Sequence, residues 1–319
     1  MRLIELTALI IAFSIFTASC LQSKEEVTLT IFHAGSLSKP IEELAKAYTA
    51  KYPKVKILRE GAGSLETIRK ITELKREADI IAVADYELIP KMLVPEYAEW
   101  AIKFARNRMV IAYTNKSKYS QEIDQDNWYY ILARKDVEIG RSNPETDPCG
   151  YRTLILLSLA EKYYGRELKE DILENSPPRN MRYTEVDLVS TLQLGEIDYL
   201  FIYESNAVQY GLKYIKLPAE IDLSSEEHAA FYSTEKINVK RGSEIITLTG
   251  KPIIYGITVP KNSLNSKVAI DFLRFLLSSE GRGILQKNGM QCLAIASDVN
   301  KIPLELKPYI GVESDNYED

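Results

Sequence analysis

The chain has 319 residues, more than one ordinary domain needs and enough for two, and its 45% apolar share fits a globular protein with a real core. A formal net charge of −5 removes any electrostatic case for nucleic acid. It also means that an anion bound here is held by local groups and not by the overall field.

The first twenty residues, MRLIELTALIIAFSIFTASC, carry Arg2, a mostly apolar stretch from Leu6 to Phe16, small residues and then Cys20. This is the layout of a secretory signal with a weak n-region, because Glu5 offsets Arg2. The apolar run falls short of the roughly 20 residues that a membrane-spanning helix needs. TASC resembles a lipobox, in which Cys20 becomes the lipidated first residue of the mature chain. An ordinary cleaved signal and an uncleaved anchor are the other readings, and each exports the rest of the chain.

After a short tether the pattern alternates. VTLTIFHA reads as a strand and PIEELAKAYTAKYP as a helix, with Ile41, Leu44, Ala45 and Tyr48 on one face and Pro53 as a stop. VKILREGAG is a strand, SLETIRKITELKRE a helix and ADIIAVAD a buried strand. That βαβαβ rhythm belongs to a parallel sheet with helices on both faces. EYAEWAIKFARN has helical spacing and RMVIAYT reads as a strand. The middle section, from about Asn115, gives a helix at WYYILARK, a loop rich in Pro, Asn and Asp, and a long amphipathic helix. EVDLVSTLQLGEIDYLFIYESNAVQYG then reads as helix, strand, loop and helix. KINVKRGSEIITLTGKPIIYGITVP is strand-rich, and NSKVAIDFLRFLLSSEGRGILQKNG is helical. Two extended strands, RMVIAYT and IIYGITVP, join two α/β units. A chain that leaves its first domain, builds a second and returns would look like this; two consecutive domains also fit the periodicity.

Two stretches repeat four letters: HAGSL at residues 33–37 and GAGSL at residues 61–65. Each follows a strand and opens a helix. The first N–H groups of a helix lack intrahelical partners, and the peptide dipoles add about half a positive charge there. Ser36 and Ser64 add hydroxyls, while Gly35 and Gly63 let an oxyanion approach the backbone. In a parallel sheet both turns lie at the carboxyl edge, where ligands bind. The plainer alternative is that both serines are helix caps. Asp147 precedes a helix in SNPETDPCGYR, and Glu204 follows the strand of DYLFIYESNA. Each is open to reading as an ordinary helix-start residue.

Serine turns favour an anion, whereas two carboxylates repel one by about 1 kcal/mol each at 4 Å in water and by several times more in a cleft. Either the carboxylates lie elsewhere, or they are protonated, or they touch an electron-poor central atom of the ligand. Sulfur and phosphorus in their oxyanions take no such extra ligands; molybdenum(VI) and tungsten(VI) do. Enzyme readings are poorly supplied. The histidines are His33 and His228, and a Ser36–His33 couple needs a folded-back geometry. Cys149 and Cys292, the cysteines other than Cys20, are open to pairing in an oxidising exterior or to being separate buried thiols. Their spacing, without histidine partners, makes no zinc site.

TIFHAGSL, GAGSLETIRKI, ADIIAVAD, DPCGYR, GEIDYLFIYESNA and FLRFLLSSEGRGILQKNG together resemble the extracellular tungstate/molybdate-binding proteins of archaeal ABC transporters, over nearly the whole mature chain. The resemblance implies an α/β, type II periplasmic-binding-protein fold: two lobes, a two-strand hinge and a ligand in the cleft. On this basis residues 1–20 form the signal with its lipobox, residues 27–110 and 255–319 the first lobe, and residues 111–254 the second. It implies that Ser36 and Ser64 bind oxyanion oxygens, that Asp147 and Glu204 complete an octahedral shell around the metal, and that Cys149 and Tyr203 adjoin the site. The expected function is capture of tungstate or molybdate and its delivery to a membrane permease, with no cofactor beyond that ligand and no covalent chemistry. The expected form is a monomer held by a lipid on Cys20 at the outer face of the cell membrane. A sulfate- or phosphate-type binding protein of the same fold, an exported serine hydrolase using Ser36 and a ligand sensor are the alternatives.

Overall fold

The computed structural model describes residues 26–241 and 244–311, so the signal-like segment and Cys20 lie outside the described residues. The strands in chain order are β1 (Val27–Ala34), β2 (Val55–Ala62), β3 (Ile80–Val83), β4 (Ile102–Asn107), β5 (Met109–Tyr113), β6 (Ile139–Ser142), β7 (Met181–Arg182), β8 (Tyr199–Tyr203), β9 (Lys213–Lys216), β10 (Lys236–Arg241), β11 (Glu244–Thr249), β12 (Ile253–Thr258) and β13 (Gln291–Ala296). They form a six-stranded sheet in the order β13-β4-β12-β3-β1-β2 and a five-stranded sheet in the order β7-β6-β8-β5-β9, with β10 and β11 as a separate hairpin. Each sheet is the centre of one lobe.

In the first lobe β1 runs parallel to β2 and β3, while β12 is antiparallel to β3 and β4. Every residue of β3 is buried, as expected of a strand covered on both faces. The helix Ser38–Lys51 presents Ile41, Leu44, Ala45 and Tyr48 to the core, and Tyr48 packs edge-on against Phe272 of the helix Ser266–Leu277. In the second lobe β6 is parallel to β7 and β8, and β5 joins β8 antiparallel. The helix Pro148–Tyr164 crosses it, with Pro148 in its first turn and Gly165 ending it at φ +62°.

One element differs from its spacing. EYAEWAIKFARN has helical periodicity, yet Ile102–Asn107 forms β4, paired with both β12 and β13. Sheet pairing on two sides outweighs local propensity here. The passage between lobes is also shorter than the strands suggest. RMVIAYT lies in the second sheet and IIYGITVP in the first, so the bending segments are the links between them. Only Arg108 separates β4 from β5. On the return, Met109 N–H donates to the Asp222 carbonyl at 2.8 Å, and Ile253 N–H donates to the Leu223 carbonyl at 2.8 Å.

Glu60, near the end of β2, pairs with Lys70 at 2.7 Å and accepts two 2.7 Å hydrogen bonds from Arg76. The Arg76 bonds foremost, then the Lys70 bond, pull its carboxyl down to about 2. A carboxyl lowered on folding contributes stability that is present above its unfolded value of 4.5 and is lost as pH falls toward about 2. Glu60→Gln is therefore expected to lower the thermal midpoint at neutral pH and to flatten its decline across that acid window. Half-exposed ion pairs are screened, so the difference should shrink as salt approaches about 1 M. A midpoint-against-pH series at two salt concentrations measures both effects.

Candidate functional site

The two Ala-Gly-Ser-Leu turns sit side by side. Ala34 at the end of β1 is in register with Ala62 at the end of β2, so the repeated letters emerge level with each other on one sheet edge. Neither serine caps its own helix: the cap positions are Ala34 and Gly63, without side-chain cap bonds. Ser64 Oγ instead accepts the Ala84 N–H at 3.0 Å, beyond the end of β3. Ser36 Oγ is bonded to the Tyr255 hydroxyl at 3.1 Å. The direction of that bond follows from Asn107. Its Oδ1 accepts the Arg108 N–H at 3.0 Å, which leaves Nδ2 to donate to the Tyr255 hydroxyl at 3.0 Å and to Ser205 Oγ at 2.7 Å. Tyr255 then donates to Ser36. Both serine oxygens are thus occupied as acceptors, and both O–H groups remain to donate to an anion.

Across the cleft the second lobe offers carboxylates. Asp147 is the cap residue of the helix Pro148–Tyr164, but its carboxylate makes no cap bond. It meets Glu185 and Cys149, with one potential ligand atom from each residue within 4.8 Å of the others. All three are buried, at 6%, 1% and 0% exposure. Asp147 Oδ2 and Glu185 Oε1 have no hydrogen-bond partner. Burial pushes the Asp147 carboxyl up, opposed by the neighbouring Glu185 and Ser142 side chains and by the Arg152 charge. Burial pushes the Glu185 carboxyl well up, and the Asp147 charge adds to it, so the pair resists carrying two charges. Burial likewise keeps Cys149 a thiol; its Sγ lies 3.6 Å from the Phe201 carbonyl.

Glu204 is not the partner of Asp147. Its carboxylate pairs with Arg108 at 3.0 Å and Lys216 at 3.1 Å, and it accepts a bond from the Tyr214 hydroxyl at 3.2 Å. Glu204 follows β8 on the side of β5 and β9, and its N–H donates to the Arg108 carbonyl at the interlobe link. The edge that faces the serine turns is built from β6 and β7, and Glu185 lies just past β7. That strand is two residues long, too short to alternate, so no periodicity marks it. The available sign is that Glu185, like Ser36, Ser64 and Asp147, stands where an extended stretch gives way to a helical one. Tyr203 is wholly buried and accepts a 2.7 Å bond from Arg152. Cys149 and Cys292 are free thiols in different lobes. The His33 ring contacts the Ala34 carbonyl at 2.9 Å, and burial lowers its pKa; the Ser36–His33 couple is not formed.

The cleft is closed. A Cβ on Gly63 would come within 3.0 Å of the Thr146 carbonyl oxygen, and Gly35 faces Thr184 and Val186. Arg152 donates across the cleft to the Ala84 carbonyl at 2.9 Å, and the Tyr151 hydroxyl to Asp85 at 2.7 Å. Asp85 also pairs with Lys251 at 2.8 Å. Burial works to raise the Asp85 carboxyl, but Lys251, Arg152 and Tyr151 together hold it below the ordinary range. It is therefore charged and locked.

A family model for bacterial extracellular solute-binding proteins matches residues 29–291. The chain belongs to that family. It is 45% identical to a solute-binding protein of Petrotoga mobilis, with 93% of this chain and 94% of the relative covered. It is 40% identical to the molybdate/tungstate-binding protein WtpA of Pyrococcus abyssi, over 98% of this chain and all of the relative. In structure it resembles the periplasmic molybdate-binding protein of Azotobacter vinelandii, with a TM-score of 0.61 at 16% identity, over 82% of this chain and 98% of that one. The fold is that of the periplasmic binding proteins. No helix among the described residues is long and apolar enough to cross a membrane.

Closure of such a protein around its solute requires the bare backbone at residue 63. Gly63 has φ −60° and ψ 146°, which any residue adopts, so alanine is compatible with the open chain and clashes only when the lobes meet. Gly63→Ala is expected to leave the thermal midpoint unchanged and to weaken solute binding about 100-fold, or about 2.7 kcal/mol. Calorimetric unfolding and titration on the same sample check the two halves.

Proposed function

We propose that this protein captures tungstate or molybdate outside the cell and delivers it to the permease of an ABC transporter. The carrying observation is the pairing of a donor-only wall with two buried, unpartnered carboxylate oxygens. Ser36 and Ser64, with the N–H groups at their helix starts, take the oxygens of the oxyanion. Asp147 and Glu185 take the metal, and any proton the pair holds leaves to solvent water as both oxygens become ligands. The high-valent centre is a hard acid that suits carboxylate oxygen. Sulfate and phosphate have no open positions for those carboxylates, so for them the negative charge of the pair is only repulsive. The 40% identity to a molybdate/tungstate-binding protein over the full chain supports the reading.

Cys149 and Tyr203 border the shell, and Glu204 serves the interlobe link. The lobes close on the ion and reopen at the permease, and the protein itself makes and breaks no covalent bond. It needs no cofactor beyond the transported ion. A lipid on Cys20 tethers a monomer to the outer face of the membrane, and the segment before it is the export signal.

Titration of the mature chain with tungstate, molybdate and sulfate tests this. Tight one-to-one binding of the first two and none of sulfate at about millimolar concentration is expected. Comparable sulfate binding would sink the metal shell. Glu185→Gln should cost tungstate about 100-fold, the effect of losing one buried ligating charge, while Glu204→Gln should cost less than about fivefold.

A further inference from the structure

We infer that Arg152 is the counter-charge of the oxyanion site, a positioning residue that offsets the bound dianion and its two carboxylates, and that closure of the lobes makes it effective. The inference rests on the metal-oxyanion reading above.

A bound dianion with Asp147 and Glu185 gathers several negative charges where water is excluded. Several other cations of the two lobes are already committed. Arg108 pairs with Glu204, Lys251 with Asp85 and Lys70 with Glu60. Arg152 differs. It is 2% exposed; its charge acts on Asp85, which Lys251 already pairs, and its hydrogen bonds go to uncharged oxygens, the Ala84 carbonyl in the first lobe and the Tyr203 hydroxyl in the second, both through Nη1. Nη2 is buried without a hydrogen-bond partner. A buried guanidinium nitrogen left over is costly unless something negative completes it. Asp147 stands at the start of the helix that carries Arg152 five residues on, and the Arg152 charge acts on its carboxyl.

The position also couples charge to closure. Ala84 donates its N–H to Ser64 and receives Arg152 on its carbonyl, so one peptide unit joins the anion grip to the cation. When the lobes part, Arg152 loses Ala84 and meets water, where its attraction for the anion falls several-fold. When they close, the same charge acts undiluted.

The test is isothermal titration of tungstate into the wild type, Arg152→Lys and Arg152→Gln, with a thermal midpoint for each. Lysine keeps the charge and loses the planar fork; glutamine keeps a donor and loses the charge. The expected result is an affinity within about tenfold of wild type for lysine and a loss of about 100-fold for glutamine, with the affinity order not following the midpoints. Glutamine binding like wild type, or lysine and glutamine losing equally, overturns the inference and leaves the proposed function standing. A wild type that binds no tungstate overturns the proposed function and this inference with it. Should neither Arg152 variant fold, Tyr203→Phe removes the bond that locates the guanidinium. A tenfold loss there supports the role, and unchanged affinity overturns it.

Discussion

The arrangement turns on two carboxyl groups held against each other away from water, facing a wall made to attract negative charge. A buried, unpaired ionised carboxylate costs several kcal/mol, and two in contact cost more. Burial and mutual repulsion push both carboxyls up, Glu185 the further, which favours a shared proton over two bare charges. A cost of this kind persists in a fold only where the surroundings over-determine it. Here they do: Asp147 is fixed at the start of a 17-residue helix and Glu185 beside an edge strand paired to β6. The pair is poorly solvated, unsatisfied and rigid, which suits it to one class of ligand.

The opposite wall achieves the complementary polarity without net charge. Its hydroxyls are made donors by what they already accept. The chain of bonds from the Arg108 N–H through Asn107 and Tyr255 to Ser36 begins at the link between the lobes and ends at the ligand position. Because Asn107 also holds Ser205 of the second lobe, the link that bends on opening is the one that sets the direction of the Ser36 proton. Local low polarity strengthens each bond in such a chain, and an interruption anywhere would leave Ser36 free to turn its lone pair to the anion.

Much of this was legible in the sequence because it is local. The repeated Ala-Gly-Ser-Leu turn, the strand before it and the helix after it lie within a few residues of one another, and parallel pairing in register then carries both copies to one edge. Asp147 was legible for the same reason, as the residue before a strong helix start. The second carboxylate was not. Choosing between Glu185 and Glu204 depends on which side of β8 faces the first lobe, a property of strand order in the sheet. Strand order is set by long-range packing, and the strand that carries Glu185 into place is too short to show a period. β4 was hidden for a related reason: its helical spacing is real, but two neighbouring strands claim the same residues.

The two walls divide the labour of recognition. The first lobe, with neutral donors and helix starts, accepts any tetrahedral dianion of suitable size and cannot distinguish sulfate from tungstate by charge. The second lobe rejects. For a ligand whose central atom takes no further oxygen, an ionised carboxylate of the pair is a like charge, worth about 1 kcal/mol of repulsion at 4 Å in water and about 4 kcal/mol at the effective dielectric of a partly closed site. That repulsion grows as the lobes approach, so the wrong anion opposes the closure that would sequester it. On the proposed reading the sign reverses for a metal oxyanion, because the same groups become ligands and closing shortens a bond instead of crowding two charges. Specificity built this way needs the repulsive element as much as the attractive one.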